Sequence, residues 1–228
     1  MPSVSKTFRD LRYRLFYGIF LNGKYPLATL CAPGSICPWT ICPAGLNARS
    51  VVYSAGVGSD ITFEHELVKQ FGCEIVLLDP SPTGVRTMSL PENRIASFHF
   101  FAEALAARDG ELRMAPPKPG EDSWFPREDP SATLTVPCTN LGSLMGRNGH
   151  KHIDLLKLDI EGSEYEVIDD LLDRRIPVRQ VCVEFHHGIL PGIRRRQSIR
   201  AMFRFLRRGY KMISQQGANH TFIRRPLD

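Results

Sequence analysis

Four groups of residues in this chain have the types and spacing that chemistry at a bound ligand requires. The first is the turn Ser54-Ala55-Gly56-Val57-Gly58-Ser59-Asp60, which follows an apolar run. Glycines at a strand-to-helix turn carry no side chain, so a ligand can come close to the backbone. A dinucleotide fingerprint, G-x-G-x-x-G, needs a third glycine, and counted from Gly56 that position holds Ile61. The dinucleotide fit is poor, and a purely structural turn is the plain alternative. The second group is Asp79-Pro80 at the end of another apolar run, about 20 residues beyond Gly58. A carboxylate there can accept both hydroxyls of a ribose; its other use would be as a helix N-cap, which Ser81-Pro82 can supply without it.

The third group is Leu156-Lys157-Leu158-Asp159-Ile160-Glu161-Gly162-Ser163-Glu164-Tyr165-Glu166. Asp159 and Glu161 close a buried strand, where acids are costly to desolvate unless something uses them. Glu164 and Glu166 fall in the first turn of a helix, where the macrodipole alone favours them. The fourth group is Glu184-Phe185-His186-His187, at the end of a later strand. In a doubly wound sheet the ligand crevice lies beyond the carboxyl ends of the strands, so these groups face it. A histidine there can take a proton from a hydroxyl. Glu184 and His186 with Asp159 can alternatively hold a divalent cation, the lesser reading, and the bland one is two structural histidines.

Strands and helices in alternation position these groups. Strands are expected at 50–54, 74–78, 96–101, 153–160, 181–185, 210–215 and 221–224, with Glu111 to Met114 pairing back as a short arm after Asp109-Gly110. Phe63, Leu67, Val68 and Phe71 mark one helix stopped by Gly72; Ser163 to Glu166 reads as a capping box opening another. Ile199, Met202, Phe203 and Leu206 mark a third. The alternation implies βαβ units and a mainly parallel sheet, while the last two strands, with no helix between them, form an antiparallel pair. Residues 116–130 make a loop rich in proline and charge, long enough to be a lid, with Trp124 and Phe125 in it. Residues 1–49 form an N-terminal extension, with a basic amphipathic helix from Phe8 to Leu21 and an irregular linker from Cys31 to Leu46; residues 50–228 form the main domain.

The run from Leu156 to Glu166, L-K-x-D-x-E-G-x-E-x-E, resembles the FkbM family of methyltransferases. Val183-Glu184-Phe185-His186-His187 and Asn219-His220-Thr221-Phe222 support the resemblance, which covers about residues 50 to 225. It implies a Rossmann-like, doubly wound, seven-stranded α/β sheet with S-adenosylmethionine as methyl donor. It further implies O-methylation of a hydroxyl on a small molecule of sugar or natural-product type. On that resemblance Ser54, Gly56 and Gly58 line the methionine portion of the donor and Asp79-Pro80 holds the ribose. Glu103 or Ala104 lies near the adenine, Asp159 closes the pocket beside the reacting carbon, and Glu161 joins it at the cofactor site. His186 or His187, with Asp159, then serves as the base. Many such enzymes carry an acid at the end of the first strand, where this chain has Tyr53-Ser54. Asp60 is then either a substitute charge for the methionine ammonium or a cap for the following helix.

Composition bounds the rest. The 228 residues are 43% hydrophobic and 23% charged, an ordinary globular composition. No apolar run reaches the roughly 18 residues of a membrane span, and no secretory signal opens the chain. Six cysteines without a C-x-x-C pair argue against a zinc ribbon or a thioredoxin site, and a reducing cytoplasm is the simplest compartment. The net charge of +5 comes with arginines gathered near the C-terminus, but no RNA-binding module accompanies them, so a small-molecule acceptor is favoured over nucleic acid. The rivals are a non-catalytic nucleoside-binding module, an RNA methyltransferase and a nucleotide-dependent oxidoreductase.

Overall fold

In a computed structural model, the described residues are 18, 20–21, 23–31, 38–187 and 195–224. The helix expected from Phe8 lies almost wholly outside them, as does part of the Cys31 to Leu46 linker. The principal sheet has seven strands. Five are parallel: β3 (Val51–Ala55), β4 (Glu74–Leu78), β5 (Phe98–Phe101), β10 (Ile153–Leu158) and β11 (Val178–Glu184). Two close the sheet antiparallel, β12 (Tyr210–Gln216) and β13 (Asn219–Arg224), and the spatial order is β12-β13-β11-β10-β3-β4-β5. The expected α/β architecture, a doubly wound and mainly parallel sheet with an antiparallel C-terminal pair, is the observed one.

The sheet is buried on both faces, which is why its strands read as continuous apolar runs. Successive residues alternate between two cores: Tyr53, Leu78, Leu156 and Val183 pack into one, Val52, Leu77, Leu155 and Cys182 into the other. The first core is covered by α3 (Leu141–Arg147), α4 (Glu164–Asp173) and α5 (Arg195–Arg207). On the second, α1 (Thr62–Phe71) supplies Phe63 and Leu67, and Gly72 ends that helix in the left-handed conformation. Helix α2 (Pro82–Ser89) starts as its sequence prescribes, with Ser81 Oγ accepting from the Gly84 N–H and proline in the first turn.

Two expectations need correction. Part of the linker is structured: its β2 (Trp39–Ile41) pairs in an antiparallel ribbon with β1 (Ala28–Leu30), just before the linker, and Trp39 and Ile41 are fully buried in the second core. Gln180 of β11 binds both the N–H and the C=O of Cys42, so the ribbon is fixed to the sheet face that α1 leaves open. The arm from Glu111 to Met114 does not pair back onto β5. It belongs to β7 (Gly110–Ala115) in a second sheet with β6 (Ala104–Leu105), β8 (Phe125–Pro126) and β9 (Leu134–Thr139), in the order β6-β9-β7-β8. This small sheet stands at the carboxyl end of β5 and carries the 116–130 loop.

Candidate functional site

The parallel strands deliver their carboxyl ends to one edge, and there a cavity of about 810 Å3 opens. One wall is the glycine turn after β3. Gly56 (φ 90°) and Gly58 (φ 56°) take conformations that favour glycine. A Cβ on Gly56 would lie 1.7 Å from the Asp159 carbonyl oxygen, so the turn packs directly on the end of β10. Asp79 braces the turn: its Oδ2 accepts from the N–H groups of Val57 (3.0 Å) and Gly58 (2.8 Å), and its Oδ1 from Ser81 (2.8 Å). A Cβ on Gly84 would sit 2.3 Å from the Asp79 Cγ, so α2 needs glycine there to admit the carboxyl. A carboxylate has about four acceptor positions, and one remains beyond these three bonds. Asp79 and Pro80 both line the cavity, as do Gly56, Gly58 and Asp60.

Beneath the turn lies a charged group that the sequence reading passed over. Ser54 does not reach the cavity; its Oγ–H donates to Oε1 of the fully buried Glu64 on α1. Lys157 Nζ donates to the same oxygen at 3.2 Å and to the Gly56 carbonyl at 2.9 Å. An acid thus does stand under the end of β3, contributed by α1 and paired with Lys157. Asp60 accepts from the Thr62 N–H, tying the first turn of α1, while still facing the cavity. A lysine set among the leucines at the end of β10 was the available signal, since a buried cation demands a partner.

The opposite wall gathers Asp159 and Glu161 from the turn after β10 with Glu184 and His186 from the end of β11, all lining the cavity. Glu161 (φ 53°) and Gly162 (φ 107°) turn the chain sharply into α4. Ser163 accordingly has helical angles and makes no side-chain cap, so the expected capping box does not form. Glu164 is fully buried, and its Oε1 lies 2.5 Å from His186 Nδ1. That leaves His186 Nε2 directed at Glu161 Oε2 (3.3 Å) and Asp159 Oδ1 (3.9 Å). Burial works against a charge on this ring, but the Glu164 bond and the charges of Glu164, Glu161 and Glu184 outweigh it, raising the pKa to about 9. Burial, then the Asp159 charge, pushes Glu184 up to about 7, and Glu184 also hydrogen-bonds Asp159. Burial likewise raises Glu161. Among the described residues, Asp159, Glu184 and His186 bring one donor atom each to within 4.8 Å of one another.

Two other expected site residues are used elsewhere. Glu103 forms a two-pronged ion pair with Arg147 (2.9 and 2.7 Å) and does not line the cavity, whereas Ala104 does. His187 Nδ1 lies 2.8 Å from Ser198 Oγ on α5, and the ring stands outside the cavity, its pKa lowered by burial and by Arg195. The 116–130 loop covers the opening. Ser59 Oγ–H donates to the Asp122 carboxylate, Thr83 Oγ1 to the Asp122 carbonyl (3.0 Å), and Ser123 bonds Glu161. Trp124 and Phe125 line the cavity from this loop.

Comparison with known proteins bears on this arrangement. The chain matches the methyltransferase FkbM domain over residues 44–212. It is 27% identical over 159 residues to the human probable methyltransferase-like protein 24, covering 65% of this chain and 38% of that protein. With the Rattus norvegicus counterpart it shares 28% over 174 residues, covering 72% and 42%. The chain spans about two fifths of the length of these curated relatives. Among solved structures, M. jannaschii TYW2 in complex with AdoMet is similar at a TM-score of 0.41 and 14% identity, over 90% of both chains.

Proposed function

The chain belongs to the FkbM methyltransferase family, and on that premise we propose that it methylates a hydroxyl group of a small molecule, of sugar or natural-product type, with S-adenosylmethionine as donor. The observation that carries this reading is one cavity whose two walls differ in kind. The glycine turn braced by Asp79 suits a nucleoside, and the wall opposite holds acids and a histidine that can handle a proton. Its volume of about 810 Å3 falls toward the upper part of the usual range for ligand sites, about 300–1,000 Å3, which suits a cofactor and an acceptor together.

Gly56 and Gly58 let the amino-acid portion of the donor approach the backbone, the open acceptor position of Asp79 takes a ribose hydroxyl, and Ala104 and Leu105 offer an apolar bed for the base. When bound, S-adenosylmethionine supplies an electrophilic methyl on a sulfonium, which passes to the acceptor oxygen as the C–S electron pair returns to sulfur, leaving S-adenosylhomocysteine. The chain's own part is to place the acceptor oxygen, exclude water under the 116–130 loop, and take the hydroxyl proton. His186, pinned by Glu164 with its Nε2 toward Asp159 and Glu161, positions the acids of this wall. The base is a carboxylate, and we assign it to Glu161 Oε, which faces the cavity beside the loop and whose basicity burial raises.

Calorimetric titration with S-adenosylhomocysteine, with NADH in parallel, tests the reading. Saturable micromolar binding of the former alone is expected and justifies screening hydroxylated acceptors. No binding by the folded protein would sink it and favour a degenerate module. With an acceptor found, Glu161→Gln is expected to lower kcat at least about a hundredfold while cofactor affinity changes little.

A further inference from the structure

We propose that Asp159, Glu184 and His186 form a divalent-cation site on the acidic wall of the cavity, for a first-row transition ion with Mn2+ as the probe, and that Glu164 positions the histidine. The inference builds on the reading of the cavity as a methyl-transfer site for its role, but not for the binding itself. Three observations converge. The donor set is one imidazole nitrogen and two carboxylates, from the ends of adjacent strands β10 and β11, all within 4.8 Å. Donors that share an ion at about 2.1 Å stand roughly 3–4 Å apart, and His186 Nε2 to Asp159 Oδ1 is 3.9 Å.

The second observation is the back of the ring. A metal-bound histidine almost always gives its other N–H to a carboxylate, a backbone carbonyl or water, which fixes the ring's orientation. Glu164 does this at 2.5 Å, from a fully buried side chain whose second oxygen, Oε2, is buried with no hydrogen-bond partner. Burying a carboxylate whole is costly unless it serves a cation, and a positioned ring with an ion beyond it supplies that reason. The third is the charge balance of the wall. Four carboxylates, those of Asp159, Glu161, Glu164 and Glu184, surround one ring, while Lys157 is turned to the other wall by Glu64 and the Gly56 carbonyl.

One imidazole with two carboxylates suits Mn2+ better than Mg2+, which prefers oxygen alone. Three protein ligands leave open positions toward the cavity. An acceptor hydroxyl bound there becomes more acidic, its proton passes to Glu161, and its oxygen keeps the electron pair for the methyl carbon.

The test uses the full chain, stripped with a chelator and without cofactor, and follows free Mn2+ by its paramagnetic resonance during titration. A single saturable site of micromolar affinity is expected. Asp159→Asn and Glu184→Gln should each weaken it at least about tenfold and Glu164→Gln about 10- to 100-fold, while His187→Ala leaves it intact. Should Asp159→Asn fail to fold, Mn2+ broadening of the wild-type histidine NMR signals decides: broadening strongest at the His186 ring and fading with distance from it supports the site, and uniform or absent broadening overturns it. No saturable binding, or binding indifferent to these substitutions, overturns it as well. S-adenosylhomocysteine titration of the same preparation separates the two readings: cofactor binding without Mn2+ binding sinks the ion alone, and Mn2+ binding without cofactor binding sinks the methyl-transfer reading alone.

Discussion

At the scale of single residues, the glycine turn and the acidic wall are held by bonds that run inward from the cavity. Lys157 is the clearest case. Its ammonium joins the Gly56 carbonyl to Glu64, both partners lie under the turn, and the side chains of Lys157 and Glu64 are 4% and 0% exposed. Removing one member of such a pair leaves a carboxylate in the interior with no cation beside it. Lys157→Met should therefore cost about 3–5 kcal/mol in urea unfolding, and adding Glu64→Gln should return much of it. A single variant as stable as wild type would show that the pair does not hold the turn. The same scale explains what sequence spacing concealed. Asp159 and Glu161 stand out because acids end an apolar strand, but Glu164 reads locally as a helix-dipole residue and its bond to His186 spans 22 positions of chain. His186 and His187 are adjacent in sequence, yet one faces the cavity and the other Ser198, a difference set by their positions just past the strand end.

At the scale of elements, what could be read depended on whether the pattern was carried by the element itself or by its neighbours. The buried parallel strands announce themselves as apolar runs, and Gly72 and Ser81 mark helix ends for reasons that act within one turn. Strand β2 is three residues among prolines, recognisable only once the sheet face it covers is known. Strand β9 contains Pro137, which argues against a central strand; at that residue β9 pairs with β7 at Glu111, while its pairing with β6 begins only at Cys138, so the missing N–H faces no partner strand. The lid makes an element-scale prediction. Asp122→Ala removes the Ser59 bond while leaving the core untouched, so cofactor affinity should fall about 5- to 10-fold with the melting temperature nearly unchanged. A parallel drop in melting temperature would make the loop a structural strap. Strand β13 makes another. Its His220, with Nδ1 2.7 Å from the Ala218 carbonyl and packed on Phe185, has its pKa lowered by burial to about 4. The unfolded chain binds that proton more readily, so the stability His220 contributes is complete above about pH 6.5 and lost as pH falls toward 4, at most about 3 kcal/mol. His220→Gln should flatten the melting temperature between those pH values relative to wild type; an unchanged slope would assign the acid lability to carboxylates.

At the scale of the whole molecule, the two ends of the parallel strands have opposite electrostatic character. The carboxyl ends carry Asp159, Glu161 and Glu184 around the large cavity. At the other end, where α4 and α5 finish beside β12 and β13, Arg175, Arg207, Arg208 and Arg224 surround a separate cavity of about 220 Å3. Arg204, on the same helix, is spent on Asp169 and Asp173 of α4. Among the described residues that line the large cavity acids outnumber bases, so the net charge of +5 does not describe that lining. A polyanionic acceptor would have to thread its reactive group past acids, whereas a small neutral polyol enters without that repulsion. The charge map thus favours the proposed small-molecule reaction over methylation of RNA. For a small acceptor, KM should change less than about twofold between about 50 and 200 mM salt, because no chain of phosphates exchanges counterions with the protein. A steep fall in acceptor affinity over that range, removed by neutralising Arg207 and Arg224, would instead mean that the basic end guides a nucleic acid to the site, and the small-molecule assignment would have to be given up.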